Sequence, residues 1–174
     1  KALPAYFYRS DAIYQSERQS VFANSWQMVA QRSRIADVGD YVVTDIAGLP
    51  ILVMRTAVDE IRAFHNVCRH RAGPLATCDG KGAKVLRCRY HGWTYGLDGV
   101  LRSAPEMQST PDFDMASVRL PQLQVCEWQG LIFAAAGDVP PLVDVVAGID
   151  ERLGARSLAD YRFHQRVRYE VQCN

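Results

Sequence analysis

The chain of 174 residues carries 20 basic and 19 acidic residues, and its formal net charge is +1. With hydrophobic residues at 48% of the sequence, the composition excludes a disordered chain and a protein that coats a polyanion. No stretch approaches the roughly twenty apolar residues that span a bilayer, and no signal-peptide pattern opens the chain. We therefore expect a globular, cytoplasmic protein that binds neither nucleic acid nor a membrane.

The first predicted element is a helix over residues 11–24, because apolar side chains recur there at near-helical intervals. Ser10 or Asp11 is the expected cap, since short polar side chains favour that position. A second helix is predicted over residues 142–153, directly after a Pro-Pro pair. The sequence thus places helices near both ends and a different pattern between them.

Beyond Gly39 the pattern changes to short β-rich runs separated by turn residues such as Ala47-Gly48 and Gln129-Gly130. This alternation of short β-rich runs and turns predicts antiparallel strands and a mainly β fold. The strict alternation of residues 161–173 predicts one further strand, which needs a sheet to cover its apolar face. The remaining predicted strands are residues 41–44, 50–54, 61–66, 84–88, 93–95, 124–128 and 131–134.

Two short motifs between these strands carry the chemistry. Cys68-Arg-His70 is followed, after seventeen intervening residues, by Cys88-Arg-Tyr-His91. This order suits a Rieske [2Fe–2S] cluster, in which two histidines replace two cysteines on one of the irons. Each motif would then supply one thiolate to one iron and one imidazole to the other.

A structural zinc site is the alternative for these four residues, since Cys₂His₂ is also a zinc ligand set. Zinc sites of that type usually pair like ligands, as C-x₂₋₄-C followed by H-x₃₋₅-H. Here each pair is mixed, and a single residue separates Cys68 from His70. The spacing therefore favours the iron–sulfur cluster.

Five cysteines occur in the chain, and an odd number argues against a disulfide scaffold. Cys78 lies between the two motifs and is predicted to be an ordinary loop thiol. Cys126 and Cys173 stand in apolar or alternating contexts, which predicts that both are small buried side chains. His65 and His164, the histidines outside the motifs, are expected to face solvent or backbone partners.

The context of the motifs resembles the Rieske domain of ring-hydroxylating oxygenase alpha subunits. The resemblance rests on HRAGPL at residues 70–75, YHGW at 90–93 and YGLDGVL at 95–101, and it extends over nearly the whole chain. Two departures are visible: Ala72 stands where many members have glycine, and Arg89 where proline is common. Neither residue is a predicted ligand, although Ala72 hints at the relatives that act on quaternary amines.

The resemblance implies a Rieske-type antiparallel β-sandwich with Cys68, His70, Cys88 and His91 as cluster ligands. The sequence pattern places the Rieske domain at residues 38–158, after an amino-terminal helical segment, 1–37. By resemblance, residues 159–174 are the first strand of a missing catalytic domain. That domain would hold a mononuclear Fe(II) that activates O₂. The fragment alone is then expected to transfer electrons without oxygenating a substrate.

The implied partners are an NAD(P)H-dependent reductase or a ferredoxin as donor, and the catalytic domain of a neighbouring alpha subunit as acceptor. A homo-oligomer, such as a trimer, is implied for the full-length protein. Two other classes stay open: a stand-alone Rieske ferredoxin, which is usually shorter, and a zinc-stabilised binding module. The substrate is not indicated, because no residue that would line its pocket is present.

Charge is concentrated around the motifs. Residues 61–102 contain eight basic and two acidic side chains, a net charge of +6 in a chain of +1. Such a region could be ordinary solvated charge, or its arginines could pair with carboxylates of the absent domain. The functional hypothesis is a basic surface that steers an acidic redox partner.

Overall fold

The computed structural model describes residues 2–107 and 109–172 of the chain. Within them the fold is mainly β, as the sequence predicts, with short helices near both ends. No helix in these ranges is long and apolar enough to cross a lipid bilayer. The strands are β1 Gln27–Gln31, β2 Tyr41–Ile46, β3 Leu49–Ala57, β4 Glu60–His65, β5 Leu86–Arg87, β6 Thr94–Tyr95, β7 Leu101–Ser103, β8 Gln122–Trp128 and β9 Leu131–Ala135.

The strands form two antiparallel sheets. The larger has six strands in the order β1-β9-β8-β4-β3-β2, and the smaller has three in the order β5-β6-β7. The larger sheet curls, so that its two edge strands, β1 and β2, come into contact. Its central strands β3 and β4 lead directly into the first ligand motif, while β5 and β6 of the smaller sheet flank the second.

Strand β3 is buried on both faces, and this divides the core into two clusters. Ile51 and Val53 point into a cluster enclosed by the curled sheet, while Leu52 and Met54 point into a second cluster beneath the smaller sheet. All four are 0% exposed, which explains why β3 is a continuous apolar run rather than an alternating one. The second cluster contains both cysteines of the ligand motifs.

Two predicted hairpin turns are formed as the sequence indicates. Ala47 and Gly48 join β2 to β3 with φ of 49° and 86°, and Gln129 and Gly130 join β8 to β9 with φ of 52° and 74°. Positive φ at both central residues is the type I′ geometry, which matches the twist of antiparallel strands. These turns fix the pairing register of four of the six strands in the larger sheet.

The helical segments are shorter than predicted. Helix α1, Asp11–Glu17, begins at the expected cap Ser10 and continues as a π-helical turn, Arg18–Phe22. The predicted carboxyl-terminal helix is two pieces, α2 Leu142–Val145 and α3 Ile149–Leu153. Gly148, at φ 77°, interrupts them, because a left-handed residue cannot continue an α-helix. Single 3₁₀ turns occur at Ala5–Tyr8, Arg32–Ile35, Met115–Ser117 and Leu158–Asp160.

Strand β1 was not predicted, because its burial does not alternate. Val29 and Ala30 are both buried, and the pairing of β1 with β9 shifts register between Met28 and Ala30. A bulge of this kind places neighbouring side chains on the same face, so buried and exposed residues no longer alternate along the strand. The strand precedes residue 38, so the amino-terminal segment contributes to the six-stranded sheet.

The predicted strand over residues 161–173 is wrong for the part that the structure describes. Residues 161–172 carry no strand pairing, and Tyr161, Phe163 and Tyr169 are all exposed. The segment is held only near its start, where the Phe163 amide donates to the hydroxyl of Ser33 at 3.1 Å. An alternating pattern forms a strand only when a sheet edge is available to it. Cys173 lies outside the described residues.

Candidate metal centre

The first ligand motif forms a tight turn directly after β4. The amide of Cys68 donates to the carbonyl of Gly73 at 2.8 Å, and the amide of Ala72 donates back to the carbonyl of Cys68 at 3.0 Å. Ala72 closes the turn with a φ of 55°. This folds the chain so that His70 lies at the tip of the loop and the Cys68 thiol points into the core.

The second motif repeats the same turn between β5 and β6. The amide of Cys88 donates to the carbonyl of Trp93 at 2.9 Å, and the amide of Gly92 donates to the carbonyl of Cys88 at 3.0 Å. Gly92 takes the place of the left-handed residue, with φ 75°. The two loops are thus equivalent in backbone, and the imidazole is placed two residues after cysteine in the first and three, at His91, in the second.

The four predicted ligands are brought together as two pairs. Cys68 and Cys88 are each 2% exposed and belong to the same buried cluster, where burial and, in smaller part, Cys88 raise the pKa of the Cys68 thiol. His70 and His91 lie nearer the surface, with ring centroids 4.6 Å apart and an interplanar angle of 71°. In residues 2–107 and 109–172, no group of three or more His, Cys, Asp or Glu is arranged around a single metal ion.

One atom of a predicted ligand has the surroundings that a metal group would require. The Nδ1 atom of His70 is buried and has no hydrogen-bond partner among the described residues. The imidazole stacks on the indole of Trp93, with centroids 4.8 Å apart and planes 8° from parallel. A buried ring nitrogen without a partner is costly, and metal ligation is the chemistry that satisfies it.

The two loops are packed against each other at Gly73. A Cβ atom at this position would lie 3.2 Å from Cys88 Sγ and 3.4 Å from Cβ of Tyr90. Glycine therefore lets the backbone of the first loop approach the thiol of the second.

Burial controls the protonation of the ligands. It raises the pKa of the Cys68 thiol, because a thiolate in the core loses its hydration. It also lowers the pKa of His70, with further contributions from the nearby charges of His91 and Arg71. His70 is therefore held in the neutral form that ligates metals, while the thiolate form of Cys68 requires a compensating positive charge, which iron would provide.

Tyr95 belongs to the candidate site, although the sequence analysis did not assign it there. Its hydroxyl lies 3.3 Å from Cys68 Sγ and accepts a hydrogen bond from the amide of Arg69 at 3.1 Å. Since that amide can only donate, the phenolic proton is free to point at the sulfur. Tyr95 is 0% exposed, and burial followed by contact with Cys68 raises the pKa of its hydroxyl well above the ordinary value.

Asn66 is a second residue that sequence reasoning missed, and it positions the first loop. Its side-chain oxygen accepts from the amides of Leu75 and Ala76 at 3.0 and 3.1 Å, and its nitrogen donates to the carbonyl of Ala76 at 2.7 Å. The residue is 3% exposed. It fastens the end of β4 to the segment that follows the loop, and its only sequence signal is its place two residues before Cys68.

The remaining cysteines lie away from the centre. Cys78 is exposed in the segment between the two motifs, as expected for a loop thiol. Cys126 is exposed, so the prediction that it is buried is wrong. The alternation of β8 is set by Leu123 and Val125, which face the core, and this turns Cys126 outward. His164 is exposed and His65 partly buried.

These features define a class of protein. The family model described as Rieske [2Fe-2S] domain matches residues 25–120, which include both ligand loops, and the chain belongs to this family. Domains of the family carry a [2Fe–2S] cluster. The resemblance noted from the sequence motifs is confirmed.

Particular relatives are oxygenase subunits. The chain is 35% identical to the carnitine monooxygenase oxygenase subunit of Acinetobacter baumannii, over 86% of this chain and 41% of that protein. It is 37% identical to the glycine betaine monooxygenase oxygenase subunit of Chromohalobacter salexigens, over 87% and 34%. The chain thus spans about two fifths or less of the length of these curated relatives.

Solved structures give the same result. The apo quaternary ammonium Rieske monooxygenase CntA matches with a TM-score of 0.81 and 34% identity, over 87% of this chain and 45% of that one. Naphthalene 1,2-dioxygenase from Rhodococcus sp., bound to indole, matches with a TM-score of 0.79 and 28% identity, over 87% and 35%. The predicted Rieske-type fold is therefore confirmed.

Proposed function

We propose that Cys68 and Cys88 bind one iron of a [2Fe–2S] cluster as thiolates, and that His70 and His91 bind the other. The observation that carries this proposal is the unpartnered, buried Nδ1 atom of His70 in a site where thiols and imidazoles form separate pairs. A bound Rieske cluster supplies a one-electron redox couple. The separate pairs favour two metal ions over one zinc ion, which would need all four ligands around it.

The protein residues would control where electrons enter and leave. Cys68 and Cys88 lie in the core, whereas His70 and His91 are only partly buried. Transfer would therefore take place at the imidazole side, near the surface. The stacked indole of Trp93 would hold the ring of His70, and the Tyr95 hydroxyl, 3.3 Å from the sulfur of Cys68, would donate to it in the thiolate form.

We further propose that the chain is the electron-transfer part of a longer Rieske oxygenase subunit. Its relatives are more than twice as long, and their names describe oxygenase subunits. In that protein a reductase or ferredoxin would supply electrons that originate in NAD(P)H, and the acceptor would be an O₂-activating mononuclear iron in a neighbouring subunit of an oligomer. Cytoplasmic location and a division at residues 37 and 158 stay predictions, although the pairing of β1 favours an earlier domain start.

For the longer protein we propose a quaternary ammonium substrate. Carnitine, glycine betaine and choline monooxygenases match this chain at 30 to 37% identity. The test is NAD(P)H- and substrate-dependent O₂ consumption by the full-length gene product with its reductase. Turnover of these amines but not of naphthalene would support the proposal, and the reverse preference would contradict it.

The cluster assignment is tested by metal analysis of the 174-residue chain. Two irons and two acid-labile sulfides per chain are expected, with the visible absorption and EPR signal of a Rieske centre. Replacing Cys68 or Cys88 by serine should abolish both signals, because each removes an essential thiolate. The matched controls Cys78→Ser and Cys126→Ser remove exposed thiols and should retain the full cluster content. One zinc per chain, or an unchanged cluster in Cys88→Ser, would contradict the assignment.

The histidine ligands have a separate test. His70→Cys or His91→Cys, where a cluster still assembles, should lower the reduction potential, because an added thiolate makes the cluster more negative. His65→Cys is the control, since this histidine lies before the first loop and outside both ligand pairs. An unchanged or raised potential in a ligand variant that keeps its cluster would count against that histidine.

A further inference from the structure

Arg55 is a buried basic side chain whose charge the fold does not balance. It is 7% exposed and follows Ile51 and Val53 on the face of β3 that points into the curled sheet. The other buried charged residue, Asp40, is paired with Lys81 at 2.8 Å. Within residues 2–107 and 109–172, Arg55 forms no ion pair with a carboxylate. A buried charge without a counter-charge is costly.

Two backbone carbonyls account for part of the guanidinium. Nε of Arg55 donates to the carbonyl of Ile35 at 2.7 Å, and Nη1 donates to that of Val58, also at 2.7 Å. These bonds join the 3₁₀ turn Arg32–Ile35 to the turn between β3 and β4, which is a structural role. Nη2, however, donates to no residue that the structure describes, and it is not sealed from solvent. Its two N–H groups and the positive charge are therefore available to an anion.

Arg55 lines a cavity of about 900 Å³ at one end of the curled sheet. Ile61 and Val125, which pack against the enclosed cluster, also line this cavity, so part of its wall is apolar. Gln31 donates to the carbonyl of Tyr161 at 2.7 Å, and this bond holds the final segment of the chain along the rim. The volume and the mixed lining are those of a site for a small molecule.

The other charges of the cavity are nearer to water than Arg55. Glu127 is already paired with Arg32 at 2.9 Å. The remaining three are exposed, and solvent screens them more effectively than it screens a buried guanidinium. Two are acidic and one is basic, so together they disfavour a ligand that carries two negative charges. These three are Asp59, Asp160 and Arg162.

We propose that this cavity binds a small organic monocarboxylate, with its carboxylate on Nη2 of Arg55 and its apolar part against Ile61 and Val125. The two oxygens of a carboxylate suit the two free N–H groups. The additional oxygens of a phosphate would lie against apolar side chains without partners. No residue of the two ligand loops lines the cavity, so the inference is independent of the proposed redox centre.

The test is a titration of the ¹⁵N-labelled 174-residue chain with butyrate, followed by NMR. The Nε–H resonance of Arg55 should shift saturably, because Nε and Nη2 belong to the same guanidinium. The neutral isostere butanamide should cause no shift, and inorganic phosphate should bind at least about tenfold more weakly than butyrate. The absence of a saturable shift with butyrate, or an equal response to butanamide, would overturn the proposal.

A matched pair of variants tests the site while Arg55 is retained. Ala36 is exposed, lines the cavity and directly follows Ile35, whose carbonyl accepts from Arg55. Ala36→Glu adds a carboxylate to the cavity and should weaken butyrate binding at least about tenfold, because it supplies the counter-charge from within the chain. Ala36→Gln has the same size without the charge and should weaken binding less than about threefold. Equal weakening by the two variants would overturn the role assigned to the charge of Arg55.

Arg55→Gln should abolish butyrate binding altogether. Because this change also removes two bonds that support the fold, the two Ala36 variants provide the deciding comparison if the protein does not fold. Butyrate binding by a folded Arg55→Gln variant with wild-type affinity would overturn the proposal.

A carboxylate side chain from the rest of the longer subunit proposed above has the same chemistry as a free ligand. Repeating the butyrate titration with the full-length gene product distinguishes the two sources. An affinity within about threefold of that of the 174-residue chain supports a free ligand. Loss of binding in the full-length protein would show that its own polypeptide covers the cavity, and it would overturn the small-molecule proposal.

Discussion

At the scale of single residues, Tyr95 has the most direct influence on the predicted redox centre. It is buried in the core, and the amide of Arg69 occupies one lone pair of its hydroxyl, which leaves the phenolic proton available to a thiolate at Cys68. A hydrogen bond to sulfur is stronger when the cluster carries the extra negative charge of the reduced state. Tyr95 should therefore favour reduction.

We predict that Tyr95→Phe lowers the reduction potential by about 60 mV, which corresponds to the loss of about 1.4 kcal/mol of preferential stabilisation of the reduced form. Protein-film voltammetry measures this directly. Tyr90→Phe is the control, because it removes an exposed hydroxyl and should leave the potential unchanged. Equal potentials in Tyr95→Phe and the wild type would show that this hydroxyl does not donate to the sulfur.

Ala72 is held in a strained backbone conformation. Its φ of 55° lies in the left-handed region, where the equivalent residue of the second loop is Gly92. A side chain in this conformation costs on the order of 1 kcal/mol. The departure from glycine seen in the sequence therefore has a structural cost.

Ala72→Gly should raise the free energy of unfolding by up to about 0.5 kcal/mol, after allowance for the greater freedom of glycine in the unfolded chain. Thermal unfolding of the cluster-containing protein reports the change. The control is Ala116→Gly, at an exposed position without positive φ in the 3₁₀ turn Met115–Ser117, and it should instead be slightly destabilising. Destabilisation by both substitutions would contradict the assigned strain.

The motif residues could be predicted from the sequence, whereas Tyr95 and Asn66 could not, and the difference has a physical reason. The approach of Cys68 to Cys88 and of His70 to His91 could be predicted, because the residue types and their spacing within each short motif already indicate a shared site. Tyr95 and Asn66 act through contacts that depend on the path of the chain in three dimensions. A tyrosine beside a strand has many possible partners, and only the packing of β6 against the first loop selects the sulfur of Cys68.

At the scale of elements, the long segment between the ligand loops is anchored through Asp40. This buried carboxylate accepts from Lys81 at 2.8 Å, from the amide of Gly82 at 3.0 Å and from the amide of Asp37 at 3.1 Å. Burial alone would raise the pKa of Asp40, but these hydrogen bonds outweigh it and hold the pKa below its ordinary value. The start of β2 and the inter-loop segment are thus joined by an ionised group.

This linkage predicts a pH dependence with a definite sign. Because the folded pKa of Asp40 is lowered, its stabilising contribution is complete above the unfolded value, about 3.9, and is lost as pH falls through the folded value. Asp40→Asn should be less stable than the wild type by a constant margin from pH 7 to about pH 4, and the margin should narrow below that. Unfolding curves across this range test it, with the exposed Asp59→Asn as control. A margin that widens in acid would contradict the assignment.

Element prediction succeeded where a local signal was sufficient. The turns at Ala47-Gly48 and Gln129-Gly130 and the cap at Ser10 depend on neighbouring residues only, and they were found. Strand β1 was missed because its bulge depends on pairing with β9, far along the chain. For residues 161–172 the local signal was misleading. Their alternation is clear, but a strand also requires the edge of a partner strand, and no such pairing is formed there.

At the scale of the whole molecule, apolar surface is concentrated at the two ends of the chain. Tyr6, Tyr8 and Val21 near the amino terminus, and Tyr161 and Tyr169 near the other end, are more than half exposed. Apolar side chains exposed in this way are available for contact with another domain or subunit. The central β fold, by contrast, has a completed core.

We predict that the 174-residue chain self-associates in a concentration-dependent manner. Sedimentation velocity should show a rising average mass at micromolar concentrations, because exposed apolar side chains and unpaired backbone favour contacts between copies. Changing Tyr169 and Val171 together to serine should reduce this association without altering the cluster spectrum. A monomer at all concentrations would show that these side chains are tolerated in solvent.

The two equivalent ligand turns have a consequence for dynamics. They touch at Gly73, where the backbone of the first turn lies against the Cys88 sulfur of the second. If either turn opens, the other therefore loses this packing contact. The pair should behave as one foldon, with the Ala72 and Gly92 amides exchanging hydrogen at a common rate. Metal loss would then be an all-or-none event, because releasing one turn exposes both halves of the site together.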